Sequence, residues 1–293
     1  MRRFDPSELV RFGGLGLVAR RLVEGYMTGI HRSPYKGFSV EFAEHRAYYP
    51  GDEIRHVDWR AYGKTDRYFV KEYEEETNLR AMLVLDASGS MKYRGAQATS
   101  KFEYARQVAA SLAYLLFSQR DAVGLLTHDT TPRLHLPPKT SSKHLLAVLR
   151  ALEESEPGGE TSLAANWELI AARHLTRRGL VVLLSDAFDQ IEPLVRAMRH
   201  LRYRRHDVIL FQIVAPEEID FPFRRPTRFR NLEIVSDERQ VDVRRMREEY
   251  RKNFADHTEA LRRAAAELHI DYQMLRTDQP VERALGLYLT GRG

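Results

Sequence analysis

The sequence predicts an α/β protein: a doubly wound, mostly parallel sheet flanked by helices, preceded by a helix and a small β-rich module. Ala81 to Leu85 and Gly179 to Ser185 are short apolar runs, the pattern of strands buried on both faces of a sheet. From residue 79 onward such runs alternate with helical patterns, as in βαβ units. Each of the two runs is followed by an aspartate, Asp86 and Asp186.

The elements are justified in chain order. Leu15, Val18, Leu22 and Tyr26 recur at helical spacing, so residues 8 to 27 predict a helix, with Arg20 and Glu24 paired four apart. Between Ser33 and Asn78, Pro34, Gly37, Pro50, Gly51 and Gly63 punctuate short aromatic and β-branched pieces. Phe38 to Phe42, Arg55 to Trp59 and Tyr68 to Tyr73 read there as strands. Residues 1–78 are therefore assigned to the helix and β-rich module, and residues 79–293 to the sheet domain.

Within that domain, helices are expected over 101–119, 142–152, 163–176, 192–204, 245–268 and 281–289. Further strands are expected over 122–128, 133–136, 208–214 and 270–275. An irregular insertion at about 216–243 carries short strands at Leu232 to Val235 and Gln240 to Val243.

Composition bounds the function. At 293 residues the chain can bury a substantial core. It has no cysteine, which excludes disulfides and thiolate metal sites and agrees with a reducing compartment. No apolar run approaches the ~20 residues of a membrane span. The first residues lack the apolar core of a secretion signal, so a soluble cytoplasmic protein is expected. Net charge is +5 from 46 basic and 41 acidic residues, short of the basic excess of an obligate nucleic-acid binder. Arg196, Arg199, Arg202, Arg204 and Arg205 read as a solvated helix face, and Arg224, Arg225, Arg228 and Arg230 as a salt-bridged loop. The eleven histidines are scattered and read as solvated surface.

The chemistry lies after the first buried strand. Asp86, Ser88 and Ser90 alternate in a glycine-containing loop at a strand's carboxyl end, where open α/β sheets place ligands. Small oxygen donors with little charge suit a hard divalent ion that keeps waters, magnesium above all. On this loop alone, a plain helix cap remains an equal reading. Thr161 follows a Pro157-Gly158-Gly159 break, and Asp186 closes the second run. If those two strands are neighbours, Asp86, Ser88, Ser90, Thr161 and Asp186 meet at a topological switch point. Ser162 and Asp189 stand close enough in sequence to substitute.

Asp-x-Ser-x-Ser, a later Gly-x-Thr and a strand-closing acid resemble the metal-ion-dependent adhesion site (MIDAS) of the von Willebrand factor A domain, over about residues 79–290. Upstream, His31-x-Ser33, Gly37, Glu41-Phe42, Arg46-x-Tyr48, Pro50-Gly51-Asp52, Arg55 and Asp58-Trp59 are similar to the bacterial family of domain of unknown function 58. That resemblance implies a von Willebrand A-like fold and a metal site formed by the five residues, binding Mg2+ or alternatively Mn2+ or Ca2+. It also implies partnership with MoxR-type AAA+ ATPases in assembling or activating client proteins, a chaperone-like role.

The residues point to binding rather than catalysis. Two carboxylates leave a divalent ion electrophilic and able to accept a partner's Asp or Glu. Hydrolysis would need a positioned base or nucleophile, and neither Ser-His-Asp spacing nor His-Glu-x-x-His is present. Where a strand-end aspartate phosphatase carries a second acid, Ser88 stands instead. Gly63-Lys64-Thr65 lacks the preceding glycine of a phosphate-binding loop. The competing classes are a metal-assisted hydrolase and a nucleic-acid-associated protein using the arginine stretches. Four phosphate contacts would give the latter a salt slope of about −3.6 in log-log terms.

Overall fold

The computed structural model describes residues 13–31, 45–47, 62, 68–71, 79–160, 162–223, 227–230, 232, 238–241 and 243–290. The chain divides into two compact units, Met1–Gly29 with Leu79–Gly293, and Ile30–Asn78. Helix α1 (Gly13–His31) joins the first unit because Ala19 and Val23 on its apolar face are buried in that unit's core. Its expected Arg20–Glu24 pair forms at 2.8 Å. In the second unit β1 (His45–Ala47) pairs antiparallel with β2 (Phe69–Lys71), inside the strand expected at Tyr68 to Tyr73. The strands expected at Phe38 to Phe42 and Arg55 to Trp59 lie outside the described residues.

The large sheet starts with β3 (Arg80–Asp86), whose last six residues are all buried. A tight turn at Gly89–Lys92 leads to helix α2 (Lys101–Ser118), then β4 (Ala122–His128) and β5 (Pro132–Lys139). Helices α3 (Ser142–Glu154) and α4 (Leu163–Leu169) follow, the latter running into a π-helical turn, Ile170–His174. Next come β6 (Leu180–Ser185), α5 (Ile191–Tyr203), β7 (Asp207–Val214) and α6 (Pro216–Asp220). A hairpin of β8 (Thr227–Arg230) and β9 (Glu238–Val241) precedes α7 (Val243–Glu267), β10 (Asp271–Arg276) and α8 (Glu282–Thr290).

Strand order is β10-β7-β6-β3-β4-β5, parallel throughout except for β5 at one edge. The expected doubly wound, mostly parallel sheet is therefore what the chain forms. Period-two alternation sorts each central strand between two cores. Leu83 and Leu85 pack with Val108 and Leu112 of α2 and Leu145 and Leu149 of α3. Met82 and Val84 pack on the opposite face with Trp167, Met198 and Leu261 of α4, α5 and α7. With both faces covered, the strands read as continuous apolar runs rather than alternating ones.

Two expectations need correction. Not every histidine is solvated: His128, His144 and His206 are buried, with 1%, 8% and 1% of their surface exposed. His144 is accommodated by its Nε2 contact, 3.0 Å from the Val123 carbonyl. The insertion is also more ordered than an irregular stretch, because Thr227-Arg228-Phe229-Arg230 supplies a strand partner for β9. In the strand expected at Leu232 to Val235, Leu232 is a bend and the other residues lie outside those described.

Helix α2 begins with a reciprocal cap: Ser100 Oγ accepts from Glu103 N at 3.1 Å, and Glu103 Oε2 accepts from Ser100 N at 2.7 Å. This fixes the backbone of Lys101, the first helical residue. Ser100→Ala is expected to cost about 1 kcal/mol of stability in urea denaturation, with Glu103→Gln milder because it keeps the acceptor.

Candidate metal centre at the carboxyl edge of the sheet

Strands β3 and β6 are parallel neighbours in register from Ala81↔Leu180 to Leu85↔Leu184. Their carboxyl ends therefore emerge side by side, which brings Asp86 next to the Ser185-Asp186 pair. The Ser185 hydroxyl donates to Asp86 Oδ2 at 2.6 Å, and the Ser88 amide donates to Asp86 Oδ1 at 2.9 Å. Ser88 Oγ and Ser90 Oγ lie 3.1 Å apart. Of the five residues singled out in the sequence, four thus lie around this edge: Asp86, Ser88 and Asp186 buried, Ser90 half-buried. Thr161 lies outside the described residues.

The loop that carries Thr161 is nonetheless pinned on both sides of it. Gly89 N donates to the Gly159 carbonyl at 2.9 Å, and Gly158 N to the Ala87 carbonyl at 2.8 Å. Arg133 donates to the Glu156 and Gly158 carbonyls, both at 2.9 Å, and pairs with Asp129. Beyond it, Asn166 Nδ2 donates to the Ser162 carbonyl at 2.9 Å and the Asp129 carbonyl at 2.6 Å. Glycine is required where these loops touch. A Cβ on Gly89 would stand 2.5 Å from the Leu232 carbonyl oxygen, and Gly159 has φ +82° with Asp129 Oδ2 2.6 Å from a Cβ position. Asp189, a possible substitute, instead accepts from the Ala164 amide at 3.2 Å and braces the start of α4.

Beside these acids stands a residue that the sequence marks only as the start of a helix. Lys101 is 1% exposed, and its ammonium donates to Asp186 Oδ2 at 2.8 Å and Glu218 Oε1 at 2.6 Å. The rings of Tyr93 and Phe188 lie 5.9 and 5.6 Å from it. Burial alone would lower the lysine pKa, but Asp186 and then Glu218 hold it above its ordinary range. Burial raises Glu218, with Lys101 opposing and Asp186 adding. A signal was present in the sequence: a lysine in the first turn of a helix opposes the macrodipole, so it calls for carboxylate neighbours.

The ammonium pairs with Asp186 and Glu218, and the uncompensated burial falls on Asp86. Burial, followed by the negative charge of Asp186, pushes its carboxyl up to about 7, against the pull of its hydrogen bonds from Ser185 and Ser88. Among the described residues no group of three imidazoles or carboxylates is poised to hold a metal by itself. The donor set fits a hard divalent ion of modest affinity: two carboxylates, two adjacent hydroxyls, and a deficit of positive charge in a buried place.

The family described as "Protein of unknown function DUF58" matches residues 44–264. The chain belongs to the DUF58 family. A curated relative, the uncharacterized protein Mb1516 of Mycobacterium bovis, is 25% identical over 221 residues, 74% of this chain and 68% of that one. Among solved structures, the conserved hypothetical protein BatB of Bacteroides thetaiotaomicron is similar with a TM-score of 0.50 at 15% identity, covering 72% of this chain and 97% of BatB. The VWA domain of SpRpn10 aligns with a TM-score of 0.43 at 13% identity, over 71% of this chain and 94% of that one. The likeness to BatB is one of fold: this family member carries a six-stranded, mostly parallel sheet between two helical layers.

The raised carboxyl has a testable consequence in the metal-free protein. An acid whose folded-state pKa exceeds its unfolded value is tolerated at low pH and costs stability as pH rises through the folded value. Asp86→Asn should therefore be more stable than wild type at pH 8 in EDTA, by more than about 1 kcal/mol, and the gap should narrow below about pH 7 and close only toward about pH 4. Equal urea midpoints at pH 8 would show that Asp86 carries no such charge burden.

Proposed function

We propose that this chain is a metal-ion-dependent protein-binding module that works with a MoxR-type AAA+ ATPase in assembling or activating client proteins in the cytoplasm. Asp86, Ser88, Ser90, Thr161 and Asp186 are the residues that would hold the ion, Mg2+ by the hardness of the donors. The observation that carries this reading is the gathering of buried Asp86 and Asp186 with paired serine hydroxyls at the carboxyl edge, short of positive charge. When bound, the ion would supply an electrophilic centre with a coordination position open to a partner's Asp or Glu.

The chain's own residues prepare that centre. The Ser88 amide and Ser185 hydroxyl fix the rotamer of Asp86, so its free lone pairs face a defined direction. The Ser185 hydroxyl in turn accepts from the Ala187 amide at 2.9 Å, which anchors it to the second loop. A binding role is favoured over a hydrolytic one by the histidine at this edge. His128 is buried and its pKa is pushed down to about 4, chiefly by burial, so it is a neutral core group rather than an accessible base. The ATPase partner and the client role rest on the family resemblance, and among the described residues no helix is long and apolar enough to cross a membrane.

Asp86→Ala is expected to weaken Mg2+ binding by about 10–100-fold by calorimetry. It should also abolish Mg2+-dependent, EDTA-sensitive capture of the purified ATPase or its client, with circular dichroism unchanged. Capture that persists at wild-type strength in the folded variant would refute the proposal. Turnover of phosphoester or peptide substrates with Mg2+ or Mn2+ would favour a hydrolase instead.

A further inference from the structure

Lys101 occupies one of the two acids that the metal reading needs. Asp186 Oδ2 accepts from its ammonium at 2.8 Å, and Asp186 Oδ1 accepts from the Phe188 amide at 3.3 Å, so both carboxylate oxygens already carry a donor. The ammonium has little freedom to leave. Its Cα is set by the capped start of α2, its side chain is 98% buried, and Glu218 holds it from the other side at 2.6 Å. Glu218 is itself fixed, because its Oε2 accepts from the Ala215 amide at 2.7 Å. The neighbouring Glu217 ties the same short helix to the loop after β3 through the Ala96 amide, at 2.8 Å.

We infer that Lys101 is a positioning residue that keeps Asp186 out of direct contact with a bound ion, and so sets a weak, magnesium-selective site. The inference rests on the metal reading above and deepens it. A cation bound directly to Asp186 would share that carboxylate with the ammonium, and the repulsion is poorly screened in so buried a place. Asp186 is then left to act through water, with Asp86 and the hydroxyls as the nearer donors. Mg2+ tolerates this arrangement because it keeps several waters, whereas Ca2+ draws on six to eight oxygens and favours direct or bidentate carboxylates. Lys101 therefore disfavours Ca2+ more than Mg2+.

The test uses the full chain and Mn2+ as the probe, titrated by water-proton relaxation, with Mg2+ and Ca2+ competed against it. Lys101→Met should tighten Mn2+ binding by about tenfold and improve Ca2+ more than Mg2+, a change of ratio that a purely structural lysine would not produce. Glu218→Gln removes the negative charge and keeps one acceptor oxygen, enough for Lys101 or Ala215 but not both, and leaves the charge of the ammonium bearing on Asp186 alone, so it should weaken Mn2+ binding severalfold. If Lys101→Met fails to fold, as judged by circular dichroism, Glu218→Gln decides: weaker binding supports the inference, and unchanged or tighter binding overturns it. A folded Lys101→Met with unchanged or weaker Mn2+ affinity overturns it while leaving the metal centre standing. Absence of Mn2+ binding by the wild-type chain overturns the metal reading itself, and this inference with it.

Discussion

The parallel pairing of β3 with β6 governs both the architecture and the chemistry. Five rungs hold these strands in register, and the next rung delivers the Ser185 hydroxyl onto Asp86. Side chains on a strand alternate faces, so a slip of one residue would send Leu83 and Leu85 to the wrong core and part Asp86 from the Ser185 hydroxyl. Fold and site are thus specified by the same register. The cores on either face, with Leu112 and Leu149 on one and Trp167 and Met198 on the other, secure the geometry that the polar edge depends on.

That dependence explains why much was legible in the sequence. The apolar runs at 81–85 and 179–185 are too short for an ordinary helix and rich in β-branched and leucine residues, which favours a strand with both faces buried. The chain order of strands and helices then left few topologies, and the observed order has the expected neighbours. Asp86, Ser88 and Asp186 stand at strand ends, so locating the strands located them too. The π-helical turn at Ile170–His174 cut short a helix whose apolar pattern continued to Thr176, because periodicity does not register a change in hydrogen-bond span.

What sequence did not disclose depends on tertiary placement. Glu218 lies 117 positions beyond Lys101, on a five-residue helix with too little pattern to be noticed. Asp129 and Arg133 look like an ordinary pair four apart, yet Arg133 also clamps the 156–158 turn against the site loops. The buried histidines were misread because polar neighbours in sequence suggested solvent. His128 ends a strand whose every residue is buried, and the run Val-Gly-Leu-Leu-Thr before it was the better guide.

The lysine in the first turn of α2 shows how the competing terms rank. An ammonium at a helix N-terminus opposes the macrodipole by roughly 0.3–1 kcal/mol, and burying it adds a desolvation cost of several kcal/mol. Neither cost would be borne for packing alone, since a methionine fills similar volume without charge. What offsets them is the pair of carboxylates that would otherwise be stranded beside Asp86. Removing one member of a buried ion pair costs about 3–5 kcal/mol because the remaining charge has no solvent to turn to. Lys101 is therefore a consequence of crowding acids at the sheet edge. Its two bonds at 2.6 and 2.8 Å make the helix start, the β6 loop and the helix after β7 one electrostatic unit.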